Sequence, residues 1–154
     1  MLFTDLTHYL QRLENTSSRL EITAILSELF EKTTKDEIQE VVYLSLGILA
    51  PNYESILLNL AEKMILKSIA VEYNIDDTEV LKLYKTNGDV GETAKSLSKN
   101  SKCNLTIKEV FESLVAIAKL EGEGSQESKV TKMAELLRSL DDLSVKYVSR
   151  ISVS

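Results

Sequence analysis

The stretch Leu105–Leu137, "LTIKEVFESLVAIAKLEGEGSQESKVTKMAELL", decides the fold. It opens on Thr106-x-x-Glu109, the spacing at which a hydroxyl and a carboxylate satisfy helix-start amides reciprocally. Ile107, Val110, Phe111, Leu114 and Val115 follow at intervals of three and four, so they share one helix face. "EGEG" interrupts the pattern. Val130, Met133, Leu136, Leu137 and Leu140 then form a second stripe. The stretch reads as helix, glycine turn, helix.

The same signals recur outward along the chain. Leu6, Tyr9, Leu10 and Leu13 form a stripe, as do Ile22, Ile25, Leu26, Leu29 and Phe30. Further stripes are Ile38, Val41, Val42 and Leu46, then Leu60, Met64, Ile65 and Ile69, then Val80, Leu81 and Tyr84. Ser18-x-x-Glu21 and Thr34-x-x-Glu37 repeat the capping spacing, and Asp89-x-x-Glu92 is an acidic version. Pro51 is expected to end the third helix. Alternation at period two is nowhere long enough for a sheet. The expectation is an all-α single domain over residues 1–154, of about nine short helices whose stripes form the core.

The chain also resembles itself. "RLEITAILSEL" (Arg19–Leu29) aligns with "ESKVTKMAELL" (Glu127–Leu137), Ile22 meeting Val130, Ile25 meeting Met133 and Leu29 meeting Leu137. "VVYLS" from Val41 parallels "VKYVS" from Val145. Two helical halves related by a near-twofold rotation are expected. The second copy stops at Ser154, so the chain reads as a fragment of a pseudo-symmetric unit.

Composition narrows the function classes. The chain has one cysteine, Cys103, and one histidine, His8. That excludes an internal disulfide and leaves no Cys/His metal cluster. No apolar run approaches the ~20 residues of a membrane span, and the start "MLFTDLTHYL" is not a signal peptide. A cytoplasmic protein with no membrane association is expected. Net charge is −6, yet Lys82–Lys108 holds six lysines against two acids, a local +4 on a remainder of −10. Because salt screens distant charges over ~8 Å, such a segment can still meet a polyanion. A solvated lysine-rich face is the plainer reading.

Within that basic segment lies "TNGDVGETAKSLSKN" (Thr86–Asn100). Helix N-termini present free amides and about half a positive charge, and glycine lets a phosphate approach the backbone. Gly88 and Gly91 flank a helix start, with Lys95 one turn on. A glycine C-cap followed by an Asp89 N-cap accounts for Gly88 but not for Gly91 inside the helix. "EGEGSQESK" repeats the device with Gly124, Ser125 and Lys129, among the acids Glu121, Glu123 and Glu127.

These pieces together resemble the N-terminal DNA-binding domain of ATP-dependent DNA ligases of the archaeal and eukaryotic replicative type. The resemblance runs from about Leu2 to Ile151, through "LTHYLQRLENTSSRLEITAILSELF", "VVYLSLGILAPNYE", the "GDVGE" turn, "TIKEVFESL…EGEGSQESKV" and "KYVSR". It implies a pseudo-twofold helical domain gripping nicked duplex DNA at the minor groove, mainly through backbone phosphates and so with little sequence preference. It places Gly88, Asp89, Val90 and Gly91 on a phosphate-facing turn, beside which helical spacing puts Lys95, and Gly124, Ser125 and Lys129 on the loop and helix start of a second contact. It implies roles in DNA replication, repair and recombination, in the cytoplasm at the nucleoid, or in the nucleus of a eukaryote. A monomer is expected.

Three departures stand out. The family's Arg-x-Gly turn after the "KYVSR" helix lies past the last residue. Asn59 and Ala61 stand where the family often has glycines. The adenylation and oligonucleotide-binding domains are missing, and ATP and magnesium would be used there. Nucleotidyl transfer needs a Lys-x-Asp-Gly setting; "KTNG" (Lys85–Gly88) has Asn87 in place of the Asp. No catalytic residue, metal ligand or cofactor is therefore expected in this chain, which is read as inactive alone. The alternative is a helical protein-interaction module derived from the same fold.

Overall fold

A computed structural model of the chain describes residues 1–49 and 60–153, with the side chains of 46–49 left aside. Among the described residues are nine helices: α1 (Phe3–Glu14), α2 (Arg19–Glu31), α3 (Ile38–Leu49), α4 (Glu62–Tyr73), α5 (Asp77–Asn87), α6 (Val90–Leu97), α7 (Ile107–Ala118), α8 (Ser125–Arg138) and α9 (Asp142–Val153). Strand pairing among these residues is limited to one bridge, Leu2 with Thr106. It ties the N-terminus to the start of α7, where the Phe3 amide donates to the Leu105 carbonyl and the Ile107 amide to that of Met1. The all-α expectation holds. Pro51, Asn59 and the side chain of Leu46 lie outside the described residues.

The helix starts follow the capping signals unevenly. Thr106 and Glu109 form the full reciprocal box. At α2 only half forms: Ser18 accepts from the Glu21 amide, while the Glu21 carboxylate takes the Thr16 hydroxyl instead. Glu37 does reach back to the Thr34 amide, but α3 begins at Ile38. That carboxylate is buried because it also holds the terminal ammonium of Met1, at 2.7 Å.

The core takes most of the predicted stripes. Phe3, Leu6, Leu10, Leu29, Ile65, Ile69, Ile107, Leu114, Met133, Leu137 and Tyr147 are fully enclosed. Burying each such side chain contributes roughly 1.5–3 kcal/mol. Phe30, Val42 and Leu81 depart from the expectation and are exposed.

Some contacts run in parallel between the two stretches that resemble each other, but α1 also touches α3. α1 packs on α2 and α7 on α8; α1 touches α9 and α7 touches α3. The two most extensive interfaces are α6 with α9 and α4 with α8. Helix α8 thus buries faces on both α7 and α4, whereas among the described residues the main partner of α2 is α1. This is why α2 buries only Ile25 and Leu29 and leaves Leu20 at 85% exposure. Among the described residues no helix is long and apolar enough to cross a membrane.

Candidate nucleic-acid interface

The turn between α5 and α6 is built by three residues with different tasks. Gly88 has a left-handed φ of +72° and donates its amide to the Tyr84 carbonyl. Side chains disfavour that conformation, and glycine does not. Asn87 accepts from the Asp89 amide and from the Thr93 hydroxyl, both at 3.0 Å. Asp89 then caps α6, accepting from the amides of Gly91 at 3.2 Å and Glu92 at 3.0 Å. Two amides at the α6 N-terminus therefore already have a carboxylate partner.

Gly91 is explained by a neighbour that sequence spacing did not reveal. A Cβ there would lie 2.6 Å from the Lys146 carbonyl oxygen and 2.8 Å from Arg150 Cγ, both on α9. The glycine keeps α6 and α9 in close contact. Room for an approaching phosphate is not what the structure shows at its Cα, which corrects the physical reason offered for this residue. A Gly91→Val change acts first on helix packing. Val90, beside it, is buried.

Around this contact lies a charge network. Arg150 donates from Nε and Nη2 to Asp89 Oδ2, at 2.8 and 2.6 Å, and from Nη1 to Glu14 Oε1 at 2.5 Å. Lys146 Nζ bridges Glu14 at 3.1 Å and Glu92 at 3.0 Å. The Tyr147 hydroxyl donates to Glu14 Oε2 at 2.5 Å. Three helices, α1, α6 and α9, are pinned together by it. Burial alone would raise the Glu14 pKa, but hydrogen bonds from Tyr147, Arg150 and Lys146 outweigh it and hold the carboxyl at about 2. Asp89 is likewise lowered: burial pushes up, and the Arg150 hydrogen bond and charge prevail. Burial and the hydrogen bond to Glu14 push the Tyr147 hydroxyl well up.

None of Glu14, Lys146, Tyr147 and Arg150 was among the candidate residues. A signal for them existed: Lys146 and Arg150 stand four apart, on one face of the "KYVSR" helix.

The second glycine site differs. Gly122 and Gly124 have φ of +94° and +78°, and a Cβ at either would meet open space. Gly124 is the N-cap of α8, offers no side chain to the first-turn amides, and is exposed. Ser125 and Lys129 are partly exposed on the first turns of α8. The acids stay close: Glu127 is in the first turn, and Glu121 and Glu123 are exposed beside it.

Asn100, just past α6, donates to the Arg138 carbonyl at the far end of α8. Ser125 lies at the other end of that 14-residue helix, about 20 Å away at 1.5 Å per residue. Lys95 is partly exposed on the last turn of α6, and Lys85, Lys99, Lys102 and Lys108 are exposed along the same segment. Among the described residues no cluster of three or more His, Cys, Asp or Glu could hold a metal ion. Lys85 sits at the solvent-exposed end of α5, and Asn87 is occupied within the turn. ATP and magnesium do not fit these residues.

Comparison with known proteins agrees with this architecture. The family described as DNA ligase N terminus matches residues 2–154. The chain is 41% identical over 151 residues to a probable DNA ligase of Dictyoglomus thermophilum, which covers 98% of this chain and 26% of that protein. It is 39% identical over 164 residues to a DNA ligase of Sulfolobus acidocaldarius, covering 97% and 27%. A similar share of DNA ligase 1 of Methanosarcina mazei matches at 34% identity. The chain thus spans about a quarter of the length of these curated relatives. It belongs to the DNA ligase N-terminus family.

Proposed function

We propose that the chain is the DNA-binding module of an ATP-dependent DNA ligase, serving nick joining in replication, repair and recombination. It holds nicked duplex DNA across the minor groove as a monomer, mainly through phosphates. The observation that carries this reading is the conjunction of two facts. The family match spans residues 2–154, and the lysines of the basic stretch of an acidic chain are exposed or partly exposed along α5, α6 and the start of α7. The first contact is made by Lys95 and the exposed backbone at Gly88, on the turn that Asp89, Val90 and Gly91 hold in place. The second is Gly124, Ser125 and Lys129, where the open N-terminus of α8 suits an anion. Nucleotidyl transfer, with its ATP and magnesium, belongs to domains other than this one.

Anisotropy titration of a labelled nicked duplex at low salt tests the reading. Micromolar or weaker binding at physiological salt is expected, in line with sequence-independent phosphate contacts. Two duplexes of unrelated sequence should bind alike. A second reading, a protein-interaction module, is favoured by one observation: Leu20 of α2 stands 85% exposed. Absence of any low-salt DNA binding would decide for it.

A further inference from the structure

An aspartate cap solves one problem at the α6 N-terminus and creates another. Its carboxylate satisfies the Gly91 and Glu92 amides, but it puts a negative charge where the reading above brings a phosphate. Resting on that reading, we propose that Arg150 is a positioning residue for the turn and not a phosphate contact: its guanidinium neutralises Asp89 from behind, so that the capped turn and Lys95 can accept an anion.

Four observations converge on this role. All three guanidinium nitrogens are already engaged, Nε and Nη2 with Asp89 and Nη1 with Glu14. The side chain is only 24% exposed, which leaves little of it for a ligand. The missing side chain at Gly91 is what lets the Arg150 stem cross α6, since a Cβ would sit 2.8 Å from Arg150 Cγ. Glu14 and Glu92 also hold Lys146, whereas the ion pair of Asp89 is with Arg150. Removing Arg150 therefore strands Asp89 in particular.

The test compares Arg150→Gln, Asp89→Asn and the double variant with wild type. Binding to a fluorescein-labelled nicked duplex is measured at low salt, with the folded fraction from circular dichroism. Asparagine remains a good N-cap. Arg150→Gln should weaken binding about tenfold, as one uncompensated charge close to a phosphate implies. The double variant should return to within about threefold of wild type, although it restores no Arg150 contact; a purely structural role predicts no such rescue. Asp89→Asn alone should bind at least as tightly as wild type. A double variant as weak as Arg150→Gln makes Arg150 a direct phosphate ligand and overturns the proposal, as does wild-type binding by Arg150→Gln or weaker binding by Asp89→Asn. If Arg150→Gln does not fold, the double variant against wild type decides by the same margins. Lys95→Ala is run alongside: if it binds like wild type, the DNA reading of the turn fails, and this inference falls with it.

Discussion

Replacing Gly91 with alanine probes the α6–α9 contact with a single methyl group. The added Cβ would stand 2.6 Å from the Lys146 carbonyl oxygen and 2.8 Å from Arg150 Cγ. The first is backbone inside a helix and cannot swing aside, so α9 must shift. Inserting a group into a tightly packed contact costs about 1–3 kcal/mol, and the rigid neighbour argues for the upper half of that range. Alanine returns about 1 kcal/mol through better helix propensity. The net expectation is destabilisation by about 1–2 kcal/mol. With a urea dependence of about 1–3 kcal/mol per molar, the unfolding midpoint should fall by roughly 0.3–2 M. Urea titration followed by circular dichroism reads this directly. Gly91→Val should fall further. A Gly91→Ala protein as stable as wild type, or more so, would refute the reasoning, because propensity alone would then rule and α9 could not lie where it is described.

Two further outcomes follow from the charge network and the glycine-flanked lysine. The folded-state pKa of Glu14 lies below its ordinary 4.5, at about 2, so its stabilising contribution is complete above pH 4.5 and is lost as pH falls from 4.5 through 2. Glu14→Gln should be less stable at neutral pH and lose less stability across that window; denaturant titrations at stepped pH check it, and an unchanged pH profile would contradict it. Incubation with α-labelled ATP and magnesium should leave no covalent AMP on the chain, because Lys85 has no Asp two residues on and Asn87 is hydrogen-bonded within the turn; a labelled band lost on Lys85→Ala would contradict this.

The helices were legible because their signals are local. The Thr106–Glu109 box and the Ile107–Leu114 stripe need only a window of ten residues, and both formed as read. What failed to read depends on distant neighbours. Phe30 and Leu81 carry helical spacing, yet burial needs a second helix above them, and spacing cannot report whether one is there. Gly91 was correctly marked as an anomaly inside a helix, but its cause lies on α9, whose Lys146 and Arg150 are more than fifty residues away in sequence. A glycine signals that something comes close without saying what. The network of Glu14, Lys146, Tyr147 and Arg150 is tertiary in the same sense: only folding brings the end of α1 beside α9. The α8 turn was easier, since Gly122 and Gly124 are required by their own positive φ and by no neighbour.

The central claim is that this chain meets DNA through phosphates, with Lys95 among the contacts. The most direct test is the salt dependence of nicked-duplex binding by wild type and Lys95→Ala. Each lysine that neutralises a phosphate contributes about 0.9 to the slope of log K against log salt. With two to four such lysines, wild type should show a slope of roughly −2 to −4, and Lys95→Ala should flatten it by about 0.9 while weakening binding equally on all sequences. No binding by wild type at low salt, or identical slopes for the two proteins, would contradict the account.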